Sequence, residues 1–177
     1  MSFETVLSSE GKYDGRIMKL RVDQVRTPTG FEAIREIVER PGAVAIVALD
    51  EQRRVVLVKQ YRHGVRASTI EIPAGVMDDR EEPLDAARRE LREETGITAE
   101  WLEHLGRIYS APGWSTEYIH LYLATGLTPG PTALEPDELI ELLRVPLSEA
   151  IEMIRAGSID DAKSVCALLL AQSRVRP

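Results

Sequence analysis

Glu90, Glu93 and Glu94 crowd the end of a stretch, Pro83 to Thr95, whose apolar residues Leu84, Ala87 and Leu91 recur with helical spacing. At about 100° per residue the three carboxylates share an arc beside that stripe. Glu90–Glu93 and Glu90–Glu94 are like-charge pairs at i,i+3 and i,i+4, and each disfavours a helix by roughly 0.2–0.5 kcal/mol. They also lie in the last turns, where the helix dipole prefers cations. Arg89 and Glu93 form one opposite-charge i,i+4 pair, but Arg89 cannot relieve Glu90 and Glu94 as a set. Several local rules broken together mark a site with a use. Carboxylates gathered on one face suit a hard cation such as Mg²⁺, which takes oxygen ligands, keeps several waters and binds phosphates. Such an ion polarises phosphoryl oxygens and acidifies a bound water. The pattern therefore points to metal-assisted hydrolysis of a phosphate linkage.

The whole segment reads GVMDDREEPLDAARRELREETGI. Gly75 is followed after five residues by Glu81, then after seven by Arg89-Glu90, Leu91, Glu93-Glu94, Gly96 and Ile97. Every defined position resembles the Nudix box, the signature of hydrolases that cleave nucleoside diphosphates linked to another moiety. Asp78 and Arg80 stand where many members have Glu and Gly, outside the defined positions. The resemblance implies that Glu90 and Glu94 are metal ligands, with the main-chain carbonyl of Ala74 beside them. Glu93 is then a further ligand or the base for water. Gly75, Glu81, Arg89 and Gly96 become structural parts of the box, with Arg89 orienting the glutamates. The implied cofactor is Mg²⁺, with Mn²⁺ as a substitute.

Beyond the box the chain resembles the ADP-ribose pyrophosphatase branch. Pro112 stands sixteen residues after Gly96, at that branch's marker position. Arg35-Glu36 in FEAIREIVERPGAV, Arg62 in VKQYRHGV and the segment GSIDDAKSVCALLLA are also similar to that branch. The implied substrate-binding set is Arg35, Glu36, Arg62, Trp114 and Glu117. Trp114, in a Gly/Pro/Ser loop, and Ile17 on the arm offer faces for a base. Glu138 matches a loop carboxylate that some relatives use as base or ligand, and Glu135 could substitute. The implied reaction turns ADP-ribose and water into AMP and ribose 5-phosphate. Its rivals are GDP-mannose-type or NADH hydrolysis, and a non-catalytic ADP-ribose sensor. The branch also implies a homodimer with exchanged N-terminal strands, so that Arg35 and Glu36 serve the neighbouring subunit's site.

The elements that position these residues are legible in outline. Residues 15–25 and 31–40 read as a polar hairpin around Thr27-Pro28-Thr29-Gly30. Residues 43–49, AVAIVAL, are apolar on both faces and read as a central strand. Further strands are expected over 54–61, 70–72, 101–109, 117–124 and 140–145, with a loop over 125–137. Pro83 suits the first position of the box helix and Gly96 the residue just past its end. Two helices are expected over 147–156 and 160–172. The fold class is α/β: a Nudix-like α/β/α sandwich with a mixed sheet, residues 41–177, plus an N-terminal antiparallel β arm, residues 1–40.

Composition sets the outer limits. The chain has 177 residues and a net charge of −7, which argues against a nucleic-acid partner. No apolar run approaches the roughly 20 residues that span a bilayer, and no secretory signal is recognised, so no membrane partner is expected. The partner that the resemblance implies is a small nucleoside diphosphate. The single cysteine, Cys166, sits in the apolar run VCALLL and reads as a buried small hydrophobe. It fits a reducing, cytoplasmic location. His63, His104 and His120 show no metal-ligand spacing.

Overall fold

The computed structural model describes residues 3–134 and 139–175. Two compact units divide the chain: Met1–Gly42 with Tyr109–Tyr118, and Ala43–Ile108 with Ile119–Pro177.

The first unit is an antiparallel sheet of three strands, β1 (Thr5–Asp14), β2 (Lys19–Arg26) and β3 (Glu32–Glu39), in the order β1-β2-β3. The expected hairpin is therefore three-stranded. β1, TVLSSEGKYD, is exposed along its whole length and carries no apolar alternation, so the sequence gives little sign of it. Asp23, buried on β2, accepts from Ser9 Oγ at 2.6 Å and from Arg21 Nε at 3.0 Å. The excursion 109–118 is stitched to β3: Val38 N donates to Trp114 O at 2.8 Å, and Thr116 N donates to Val38 O at 3.0 Å.

The second unit is built on a mixed sheet. Its strands are β4 (Ala43–Leu49), β5 (Arg54–Arg62), β6 (Ala67–Glu71), β7 (Ala74–Val76), β8 (Ile97–Tyr109), β9 (Tyr118–Pro129) and β10 (Ile140–Pro146). The order is β10-β5-β4-β9-β8, with β6 beside β5 and β7 beside β4. β4 runs parallel to β9 and antiparallel to β5 and β7. Every residue of β4 is buried, as a strand covered on both faces requires. Ala43, Ala45, Val47 and Leu49 face the helices α2 (Leu147–Arg155) and α3 (Ala162–Arg174). Val44, Ile46 and Ala48 face α1 (Pro83–Thr95). Helices on both faces make the expected α/β/α sandwich.

α1 obeys its punctuation. Pro83 opens it, and Gly96 closes it at φ 69°, donating its N–H to Arg92 O. Its stripe is shifted from expectation: Ala86, Ala87 and Leu91 are buried, whereas Leu84 is 41% exposed. β8 begins at Ile97, directly after the helix, and β9 continues to Pro129, so the first five residues of the expected loop, 125–129, are strand. Gly126, at φ 67°, lets β9 pass where a Cβ would lie 2.7 Å from Glu100 Cβ.

Candidate active site

Glu90 and Glu93 of α1, and Glu81 ahead of it, are organised by one guanidinium. Arg89 Nε and Nη2 donate to Glu81 Oε1 and Oε2 at 2.9 and 2.8 Å, a two-pronged pair. Nη1 donates to Glu90 Oε1 at 2.6 Å and Glu93 Oε2 at 3.1 Å, and Nη2 also reaches Val76 O at 3.0 Å. Every one of the five N–H groups of Arg89 thus has a partner. Glu81 further accepts from Asp78 N at 2.9 Å, which closes the loop ahead of the helix. The bonds from Arg89 hold the Glu81 carboxyl below the ordinary carboxylate range, against the burial that pushes it up. Arg80 in that loop sits at φ 63°, a left-handed conformation that costs a side-chain-bearing residue roughly 1–2 kcal/mol and a glycine little.

β7 lies against this helix face. A Cβ on Gly75 would stand 2.0 Å from Glu90 Cδ, so the glycine is the floor on which the Glu90 carboxylate rests. Ala74 N donates to Glu94 Oε2 at 3.0 Å, which brings the Glu94 carboxylate against the same stretch of backbone. Glu94 is 5% exposed. Gly75→Ala is expected to cut metal-dependent turnover about 10–100-fold, the range for misplacing a metal ligand through its support. Its stability loss should stay within about 1–3 kcal/mol, because the atom in the way ends a side chain that can move. Steady-state kinetics and thermal unfolding of the variant check both.

The donor set fits a hard divalent cation. Two carboxylates that converge on one backbone segment offer oxygen ligands only. Among the described residues no group of three or more His, Cys, Asp or Glu is placed to hold a metal ion by itself.

A second charged cluster lies at the ends of β5 and β6. Glu71, 3% exposed, accepts from Arg62 Nε and Nη2 at 2.8 and 2.7 Å, from Lys163 Nζ at 2.6 Å and from Thr69 Oγ1 at 2.6 Å. Arg62 also feels the charge of Glu94, a glutamate of α1. Burial pushes the Glu71 carboxyl up, but the bonds from Arg62, Lys163 and Thr69 outweigh it and hold it at about 2, against an ordinary 4.5. A depressed carboxyl stabilises the fold above its unfolded pKa and stops doing so as pH falls through the folded one. Up to roughly 3 kcal/mol should therefore be lost between pH 4.5 and 2. Urea unfolding at pH 6 and pH 3 should show Glu71→Gln losing less than the wild type.

Sequence reasoning did not single out Glu71, Asp161, Lys163 or Ser164 as parts of a site. A glutamate between Ile70 and Ile72 on a strand was the available signal, since a buried charge demands partners. Of the other expected residues, Arg35, Glu36, Trp114 and Glu117 all belong to the first unit. Arg35 donates through Nε to Glu4 Oε2 at 3.2 Å, Glu36 is exposed on β3, and Trp114 is 57% exposed. Glu117, 15% exposed, pairs with Arg40 at 3.2 Å. Ile17 is exposed. Glu135 and Glu138 lie outside the described residues.

The site and the sandwich together define a metal-using hydrolase of the box-helix type, and comparison with known proteins agrees. Residues 39–168 match the NUDIX domain, and residues 4–38 match the nucleoside diphosphate sugar hydrolase N-terminal domain. The chain belongs to the Nudix hydrolase family. It is 41% identical over 171 residues, 96% of this chain and 92% of the relative, to a methanol dehydrogenase activator of Bacillus methanolicus. It is 36% identical, over the same shares, to an ADP-ribose pyrophosphatase of Bacillus subtilis (strain 168). A crystal structure of an ADP compounds hydrolase superposes with a TM-score of 0.89 at 24% identity, over 98% of this chain and 95% of that one, which shows a shared fold. No helix among the described residues is long and apolar enough to cross a membrane.

Proposed function

We propose that this protein hydrolyses the diphosphate of ADP-ribose to AMP and ribose 5-phosphate, with Mg²⁺ as its cation and Mn²⁺ able to replace it. The observation that carries this reading is the set Glu90, Glu93 and Glu94, the first two ordered by Arg89 and the third by Ala74 N, beside Gly75. It stands in a chain that is related along most of its length to an ADP-ribose pyrophosphatase. Glu90, Glu94 and the Ala74 carbonyl would hold the cation, which would supply charge neutralisation of the diphosphate and a more acidic water. Glu93, 31% exposed, reaches solvent and takes the proton of the attacking water. Glu138 and Glu135 are kept as alternatives for that role by their place in the sequence. Arg62 meets the diphosphate, and Arg35, Glu36, Trp114 and Glu117 meet the nucleoside end.

The working form is a homodimer that exchanges its N-terminal arms, residues 1–40, around catalytic domains of residues 41–177. Supporting this, the arm exposes Phe3, Val6, Ile17, Phe31 and Ile34, each more than half accessible, on a sheet whose first strand is uncovered throughout. The single cysteine supports a cytoplasmic location.

Product analysis over ADP-ribose, GDP-mannose, NADH and nucleoside triphosphates tests the proposal. ADP-ribose should show the highest kcat/KM and yield AMP and ribose 5-phosphate in equal amounts. Preference for another nucleotide would remove the substrate but keep the chemistry. Binding of ADP-ribose without turnover in Mg²⁺ would favour a sensor. Sedimentation of the full chain should give a dimer.

A further inference from the structure

We infer that Lys163, at the start of α3, is a positioning residue that acts through Glu71 to keep Arg62 available to the substrate's diphosphate; this rests on the reading that Arg62 meets that group. The four bonds Glu71 accepts match the roughly four lone-pair sites of a carboxylate. Its place is thereby fixed by three elements, β5, β6 and α3. Arg62 spends Nε and one Nη2 hydrogen on Glu71. No other hydrogen bond of Arg62 occurs among the described residues, and its side chain is 43% exposed. Three of its five N–H groups thus remain outside the pair with Glu71, and the charge of Glu94 also acts on this guanidinium.

Charge balance gives Lys163 its importance. A guanidinium paired two-pronged with one carboxylate presents little net charge to a phosphate. A second cation on the same carboxylate restores the excess. Lys163 Nζ, 2.6 Å from Glu71 Oε2, is that cation. Lys163 also donates to Asp161 Oδ2 at 2.9 Å, but Asp161 caps α3, accepting from Ser164 N at 3.0 Å and Ser164 Oγ at 2.6 Å. The positive end of the helix therefore takes up part of Asp161's charge. Ser164 Oγ in turn accepts from Ile72 N at 2.9 Å, so the first turn of α3 is tied to the chain directly after Glu71. Lys163 is only 14% exposed, so solvent screens its pair with Glu71 less than it would a surface pair.

A double-mutant cycle tests this. Lys163→Met should raise KM for ADP-ribose about tenfold, the low end for losing a partner that orients a binding group. kcat and the Mg²⁺ concentration for half activity should stay nearly unchanged, since neither Glu90 nor Glu94 is touched. Lys163→Arg should restore most of the KM. In an Arg62→Ala background, Lys163→Met should raise KM no further, because its route of action is gone. Additive effects of the two substitutions, or an unchanged KM in Lys163→Met, would overturn the inference. If Lys163→Met does not fold, Lys163→Gln, which keeps a donor without the charge, is read in the same cycle. If the wild type prefers another nucleotide, the substrate reading fails and the cycle is run on that nucleotide. If it turns over none, the cycle is read on calorimetric Kd for ADP-ribose.

Discussion

Glu94→Gln is expected to lower Mg²⁺-dependent kcat by more than about 100-fold, the upper end for losing a mere supporting partner of a metal ligand. The substitution keeps length and shape. It replaces one carboxylate oxygen by an amide nitrogen, which carries no lone pair for a hard cation. The fold should tolerate it. Glu94 Oε2 accepts from Ala74 N, and a glutamine carbonyl oxygen can do the same. Removing the charge also removes the i,i+4 repulsion from Glu90, worth roughly 0.2–0.5 kcal/mol. Activity should therefore collapse while the melting temperature holds or rises. Residues kept for folding do not behave this way. Kinetics at saturating Mg²⁺ and calorimetric unfolding of the same preparation read both. A variant that keeps wild-type turnover would show that Glu94 is only a buried acid with a backbone donor.

Arg89→Met should be damaging in a different manner, losing stability and activity together. It removes the cation shared by three carboxylates whose side chains are 15%, 13% and 31% exposed: Glu81, Glu90 and Glu93. Removing one partner from a buried ion pair costs about 3–5 kcal/mol. Partial exposure of this cluster puts the expectation at the low end, roughly 3 kcal/mol. Turnover should fall about 10–100-fold as Glu90 and Glu93 lose the group that aims them. Arg89→Lys should recover only part of either loss. An ammonium restores the charge but not the fork that reaches Glu81, Glu90, Glu93 and Val76 O at once. Urea titration with kinetics on both variants checks this. A lysine variant equal to wild type would mean that net charge, not geometry, organises the box.

The parts of this molecule that were legible in its sequence are those set by short spacing. Pro83 and Gly96 bracket α1 as expected, and the box glutamates share one face because helical geometry leaves them no alternative. AVAIVAL declares a strand covered on both sides. What escaped was set at long range or by absence of pattern. Lys163 meets Glu71 across 92 residues, and neither side chain announces the other. β1 is exposed on both faces and so has no periodicity to read. Leu84 completes a plausible stripe, but the helix turns Ala86 inward instead, because the close packing on Val44, Ile46 and Ala48 takes small residues. Gly75 was recognised as a box position, yet its reason, the Glu90 carboxylate resting on it, needs the fold.

The central claim is that Glu90, Glu94 and the Ala74 carbonyl together hold the working cation. A crystal structure with Mn²⁺ and a non-hydrolysable ADP-ribose analogue, phased for manganese anomalous scattering, tests it most directly. The expected result is a manganese peak about 2–2.3 Å from oxygens of both glutamates and of Ala74, with the diphosphate alongside. A manganese peak bound without Glu90 and Glu94, with the analogue in place, would contradict it.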